Sequence, residues 1–154
     1  RCMPNTPAAI GKGMLVLFAN SLVSGEAMTK VRSLLSANGA VAEIADEGLM
    51  DAVTAVSGSG PAYVFHFIEC LTAAAEKAGL PSDVAGLLAM QTVHGAAALA
   101  AESHTDPAEL RRQVTSPNGT TAAALSVLMG EGRLAKLVDE AVEAARLRSI
   151  ELGK

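Results

Sequence analysis

The stretch from Pro61 to Glu102 constrains this chain most, because it reads as two apolar helices joined by the short turn Gly79-Leu80-Pro81-Ser82. In the first helix Val64, Phe67, Ile68, Leu71, Ala75 and Ala78 recur at spacings of three and four, the pattern of one buried stripe. In the second, Val84, Leu87, Leu88, Met90, Val93, Ala96, Ala97 and Leu99 occupy nearly the whole circumference. A single buried face cannot satisfy that helix, which needs neighbours on several sides. Two arrangements provide them: an intertwined dimer in which subunits complete one another's bundle, or a monomeric bundle whose outer helices cover the pair.

The rest of the chain supports a mainly helical fold. Its 154 residues suit one domain, or one domain with a piece of another. With three Phe, one Tyr and no Trp, the packing material is Ala, Leu, Val and Met, which favours close-packed helices over an aromatic-rich sandwich. No apolar run is expected to span a membrane, since Glu69, Glu76, Lys77 and Glu102 interrupt the best candidate. The start Arg1-Cys2-Met3-Pro4 carries neither a signal-peptide pattern nor an initiator Met, which points to a fragment or a processed product. From Glu43 to Glu102 there are eight acidic residues and one basic residue, Lys77, which argues against a nucleic-acid surface there. Beyond Glu102, Arg111-Arg112 and Arg146/Arg148 read as solvated helical faces or a small anion patch. Cys2 and Cys70 make no secreted framework; a buried, reduced Cys70 and a cytoplasmic setting are expected.

Taken in order, Arg1 to Pro7 reads as the end of an extended segment, with Pro4 and Pro7 excluding a helix. Met14 to Phe18 is a short strand bounded by Gly11/Gly13 and Asn20-Ser21. Ser24 caps a helix reaching to about Asn38, with Met28, Val31, Leu34 and Leu35 inward, and Val41 to Ala45 is a second strand. This strand, helix and strand cannot complete a sheet layer, so residues 1-45 are expected to finish a larger α/β domain. From Asp46 the period is helical, and residues 46-154 hold about six helices. Asp46 caps a helix through Leu49, Met50, Val53 and Val56, interrupted at Ser57-Gly58-Ser59-Gly60-Pro61. Asp106-Pro107-Ala108-Glu109 is a strong helix start. Thr115-Ser116-Pro117-Asn118-Gly119 is a turn feeding a helix that opens at Thr120-Thr121. The last helix, Leu134 to Leu152, places Leu134, Leu137, Val138, Ala141 and Ala145 on one face, and Glu143 can pair with Arg146.

Most familiar chemistries have no motif here. His66, His94 and His104 form no HExxH, the two Cys lack metal-ligand spacing, and neither a Gly-x-Ser-x-Gly elbow nor a complete GxGxxG fingerprint is present. No metal is expected. Two polar turns remain, Ser57 to Pro61 and Thr115 to Thr121. Each leaves backbone N–H groups at a helix start, where a carboxylate or phosphate can be held, and the Ser116 and Thr121 hydroxyls can add directional hydrogen bonds. Ordinary helix capping explains the same residues.

Three segments carry a more specific likeness. Arg1-Cys2-Met3-Pro4-Asn5-Thr6-Pro7, the run from Asp51 to Phe65 around Ser57-Gly58-Ser59-Gly60-Pro61-Ala62-Tyr63, and Asp106-Pro107-Ala108-Glu109-Leu110-Arg111 through Thr115 to Thr121 resemble pyrroline-5-carboxylate reductase. The likeness covers essentially the whole chain and includes Lys77-Ala78-Gly79-Leu80-Pro81 and Gln91-Thr92-Val93. It implies a mainly α fold: an all-helical dimerisation domain preceded by a strand-helix-strand remnant of a Rossmann-type dinucleotide-binding domain, most of which is missing. It implies reduction of L-1-pyrroline-5-carboxylate to L-proline, the last step of proline biosynthesis, with NADPH or NADH as hydride donor, and an interwoven homodimer often assembled further into decamers. By that resemblance Ser116, Gly119, Thr120 and Thr121 contact the substrate, with the Thr121 hydroxyl at the ring nitrogen and the amides of the turn and helix start at the carboxylate. Met3, Pro4 and Asn5 match the strand end near the nicotinamide, and Ser57 to Pro61 matches the turn beside the cleft.

This sequence departs from the family pattern at Asn118, commonly glycine, and at His104, where some members have glutamate. Asparagine tolerates left-handed backbone, so the turn is expected to survive. The competing reading of the whole chain is a helical oligomerisation module with no site of its own. Either way the chain alone is not expected to transfer hydride, because a cradle for the cofactor's pyrophosphate is missing from it.

Overall fold

A computed structural model of the chain describes residues 1–153. They form two compact units: one contains Arg1–Tyr63 and the last helix from Asp139 on, the other is Val64–Val138.

The first unit is built on a three-stranded sheet in the order β1-β2-β3, with β1 Cys2–Met3, β2 Gly13–Phe18 and β3 Gly39–Ile44. β1 runs antiparallel to β2, pairing Cys2 with Leu17 and Met3 with Val16. β2 and β3 are parallel, from Gly13 opposite Gly39 to Phe18 opposite Ile44, and helix α1, Gly25–Leu35, makes the crossover between them. Gly39 has φ 146°, and a Cβ there would fall 2.5 Å from the Gly13 backbone nitrogen, so the parallel pair can only start on glycine. Leu15, Val16 and Leu17 are buried, and α1 begins as expected, with the Ser24 hydroxyl accepting from the Ala27 amide at 3.2 Å.

Two expectations fail here and a third is narrowed. Thr6–Ile10 forms a 3₁₀ turn, because Pro7 lies in its first turn, where a missing N–H leaves no bond unmade. Of the α1 positions expected inward, Met28 and Leu35 are half-buried while Val31 and Leu34 are exposed. Finally, the interruption expected over Ser57-Gly58-Ser59-Gly60-Pro61 is confined to a bend at Ser59, with a π turn before it. The Asp46 carboxylate accepts from the Gly48 amide at 2.8 Å, a 3₁₀ turn Glu47–Leu49 leads into helix α2, Met50–Val53, and Thr54–Gly58 continues it as one π-helical turn. The wider turn changes the buried face: Met50 and Ala55, five apart, are buried, while Leu49 and Val56 are exposed.

Helix α3, Gly60–Lys77, follows with Pro61 in its first turn, and the turn at Gly79, φ 102°, leads to α4, Ser82–Ser103. Then come α5 Pro107–Gln113, α6 Thr120–Met129 and α7 Arg133–Leu152, so α2 to α7 are the six helices expected after Asp46. The fold class is therefore mainly α, with a small strand-helix-strand element ahead of a helical array.

Within the second unit little apolar surface is covered. Ala85 and Ala89 on α4 are buried and Ile68, Leu71 and Ala75 of the α3 stripe are half-buried, but Phe67, Leu87, Met90 and Leu99 stay exposed within one chain. The expectation that no run could span a membrane is also corrected. The interrupting charges lie on α3 or at the end of α4, and Val84 to Ala101 carries none, so α4 is long and apolar enough by length and composition alone to cross a bilayer. Cys70, expected buried, is exposed, with Sγ 3.6 Å from His66 Nε2, and His66 Nδ1 lies 3.0 Å from Glu69. On α7 the exposed positions include Leu134, Leu137, Val138 and Ala141, whereas Val142, Ala145 and Ser149 are half-buried.

Candidate substrate and strand-end sites

The second unit carries the predicted substrate residues on the turn between α5 and α6. α5 is held by Asp106, whose carboxylate accepts from the amides of Ala108 at 2.8 Å and Glu109 at 3.4 Å. Glu109 does not reach back to close a capping box. Its carboxylate pairs with Arg112 and accepts from Gln113 at 3.3 Å. At the other end of α5 the Thr115 hydroxyl donates to the Arg111 carbonyl at 2.6 Å, and the Thr115 amide to Arg112 at 3.0 Å. The chain then reverses through Ser116-Pro117-Asn118, closed by the Gly119 amide donating to the Ser116 carbonyl at 3.1 Å.

Asn118 makes this reversal at φ 59°, in the left-handed region that asparagine tolerates. Gly119, by contrast, is extended and caps α6 without a side chain. A Cβ on Gly119 would collide with the Ser116 hydroxyl, so the turn packs Ser116 over the helix start. Among the described residues the amides of Thr120, Thr121 and Ala122 have no backbone or side-chain acceptor, and the Ser116, Thr120 and Thr121 hydroxyls have no hydrogen-bond partner. Thr121 is half-buried; Ser116 and Thr120 are exposed. The result is a helix N-terminus with three free amides and three free hydroxyls around it, able to take a carboxylate and one further polar atom.

The first unit carries the strand end Met3-Pro4-Asn5. Asn5 Oδ1 accepts from the Met14 amide at 2.8 Å, and Asn5 Nδ2 donates to the Ser57 carbonyl at 3.2 Å and lies 3.5 Å from its hydroxyl. A Cβ on Gly58 would lie 3.5 Å from Met3 Sδ, so the same π-helical turn packs on β1. The Ser59 amide, expected free to hold an anion, donates to the Thr54 carbonyl at 2.8 Å in the π pattern. Around this turn Tyr63 donates its hydroxyl to the Ala55 carbonyl at 3.0 Å, and Ser149 donates to the Asp51 carboxylate at 2.6 Å, tying α7 to α2. Sequence spacing did not reveal these ties, although the interval of five between Met50 and Ala55 was the available signal for a π turn. Partial desolvation pushes the Cys2 thiol up. No group of three or more His, Cys, Asp or Glu suited to a metal occurs among the described residues.

This combination, a small α/β element followed by an array of apolar-faced helices, has a match in sequence: residues 47–152 match the family described as pyrroline-5-carboxylate reductase dimerisation. The chain is 50% identical over its whole length to pyrroline-5-carboxylate reductase of Pseudomonas aeruginosa, covering 56% of that protein. Among solved structures, all of it superposes on 57% of a pyrroline-5-carboxylate reductase from Coxiella burnetii, with TM-score 0.95 and 43% identity. A Plasmodium falciparum pyrroline carboxylate reductase solved with NADP bound matches 99% of this chain and 62% of its own, with TM-score 0.87 and 35% identity. The chain belongs to the pyrroline-5-carboxylate reductase family. It spans little more than half the length of these relatives.

Proposed function

We propose that this chain supplies the substrate-binding and dimerisation half of an enzyme that reduces L-1-pyrroline-5-carboxylate to L-proline with NADPH or NADH. One observation carries the reading. The start of α6 presents unpaired amides of Thr120, Thr121 and Ala122 with the free Thr121 hydroxyl beside them, within a chain that belongs to this reductase family. The substrate is a five-membered imine with a carboxylate on the carbon next to nitrogen. The amides take the carboxylate, aided by the positive end of the helix dipole, and the Thr121 hydroxyl accepts from or donates to the ring nitrogen. Ser116, packed against Gly119, adds a hydroxyl at the rim.

The reduced nicotinamide, when bound, supplies the hydride for the imine carbon. The chain's own task is orientation. A threonine hydroxyl is far too weak an acid to protonate the nitrogen outright at neutral pH, so Thr121 holds an imine that is already protonated or takes its proton from solvent. For the cofactor, the half-buried thioether of Met3 and the exposed ring of Pro4 offer an apolar surface suited to the flat nicotinamide ring. No glycine-rich cradle for a pyrophosphate occurs in this sequence, so these residues fit only the nicotinamide end. We accordingly assign residues 1-45 to the end of a dinucleotide-binding domain and 46-154 to the helical domain, and expect the chain by itself to be inactive. Two free thiols agree with a reducing, cytoplasmic setting.

The test is an assay of the full-length parent with L-1-pyrroline-5-carboxylate, following loss of NADPH and NADH separately. Turnover whose kcat/KM falls by about tenfold or more on Thr121→Val supports the assignment. Normal kcat and KM in that variant remove Thr121 from its role. A folded parent with no turnover with either cofactor points instead to a non-catalytic helical oligomerisation module.

A further inference from the structure

The hydrogen bonds of Asn5 lead past its expected place against the cofactor. Asn5 is the N-cap of the 3₁₀ turn Thr6–Ile10, where an asparagine side chain ordinarily accepts from an amide two or three residues on; here it makes no such bond. The register of the sheet explains why. β1 pairs Cys2 with Leu17 and Met3 with Val16, so the next positions would set Pro4 opposite Leu15 and Asn5 opposite Met14. Pro4 has no N–H to continue the ladder, and the chain turns away. The Asn5 side-chain oxygen then takes the Met14 amide at 2.8 Å, standing in for the missing strand. Its nitrogen reaches the other way, 3.2 Å from the carbonyl of Ser57 in the π-helical turn.

We propose that Asn5 is a positioning residue whose carboxamide locks the end of β1 to the π-helical turn Thr54–Gly58, fixing the Met3-Pro4 surface on which the nicotinamide rests. The function of that surface rests on the reductase reading; the lock does not. A primary amide is needed because one end must accept from Met14 while the other donates to Ser57. The π turn makes the lock consequential: Ser57 lies inside it beside Gly58, which packs on Met3, and such turns are rare and concentrated at functional sites.

Two variants of the full-length protein separate the possibilities. Asn5→Asp keeps the size and the acceptor for Met14 but puts a carboxylate oxygen where the donor to Ser57 stood; Asn5→Ala removes both bonds. By amide hydrogen exchange, Asn5→Asp is expected to raise exchange at Ser59 about tenfold with Met14 still protected, and Asn5→Ala to raise both. In the assay, the KM for reduced nicotinamide is expected to rise about three- to tenfold in both variants, with the KM for the imine little changed. Unchanged exchange with a raised cofactor KM would mean that Asn5 touches the cofactor directly and would overturn the lock. Unchanged exchange with an unchanged KM overturns it too. Raised exchange in a parent that turns over no imine keeps the lock and removes the reductase reading.

Discussion

Asn118 holds φ 59° where only residues able to enter the left-handed region pass without strain, and the Ser116 to Gly119 closure depends on that one dihedral. Asparagine tolerates the conformation, glycine suits it and a β-branched side chain resists it. Asn118→Gly is therefore expected to leave stability within about 0.5 kcal/mol of the original, while Asn118→Val lowers it by about 1–2 kcal/mol, read from urea unfolding of the two variants side by side. A second residue-scale expectation concerns Glu143, which accepts from Arg146 Nε at 2.7 Å and Arg146 Nη2 at 2.8 Å. The hydrogen bond from Arg146 first, against an opposing desolvation, and then the guanidinium charge hold the Glu143 carboxyl below its usual range. Because the folded value is the lower one, the pair stabilises the fold above the unfolded carboxylate range, near pH 4.3, and that contribution is lost as pH falls through the depressed folded value. Glu143 is exposed, so the contribution is small and falls with salt. A carbon-detected NMR titration should find Glu143 titrating below the ordinary glutamate range, and Arg146→Gln should return it to that range.

The helices are delimited by side chains that could be read one at a time. Ser24 and Asp106 were legible as caps because each needs only its own three following amides, and both make the expected bonds. Truncating such a cap costs about 1 kcal/mol, so Asp106→Ala is expected to lower stability by about that much and to raise exchange in Pro107–Gln113 first, as the seven-residue α5 has little else to hold its start. The polar turn before α6 was legible for the same local reason, and the free groups of Thr120 and Thr121 lie where that reading put them. What escaped depended on partners far along the chain. The tie from Asn5 to Ser57 spans 52 residues and that from Asp51 to Ser149 spans 98, and no local pattern encodes either. The π turn escaped because Ser57-Gly58-Ser59-Gly60 has the composition of a break, while the Thr54 carbonyl and the buried Ala55 keep the chain coiled. The faces of α3 and α7 were misjudged because a periodic stripe states which side is apolar and not whether the same chain covers it.

That uncovered surface sets the expectation for the whole molecule. Phe67 is 48% exposed, Leu87 69%, Met90 53% and Leu99 56%, more large apolar surface on neighbouring turns than a monomer in water ordinarily leaves bare. Two solvents could accept it: a second copy of the chain, or, for α4 alone, a bilayer, since Val84 to Ala101 has the length and composition to cross one. The family match, described as dimerisation, favours the second copy. In a two-fold dimer each substitution acts twice. Leu87→Lys withdraws about 1.5–3 kcal/mol of apolar burial per copy, so the dissociation constant should rise by about 10²- to 10⁴-fold. Because Leu87 is exposed within one chain, the variant should still fold, with its helical circular dichroism retained. Sedimentation velocity at micromolar concentration then decides: a dimer that becomes monomeric on Leu87→Lys places α4 in the interface. An unchanged dimer moves the interface elsewhere, and a chain that sediments only with detergent or lipid assigns α4 to the membrane.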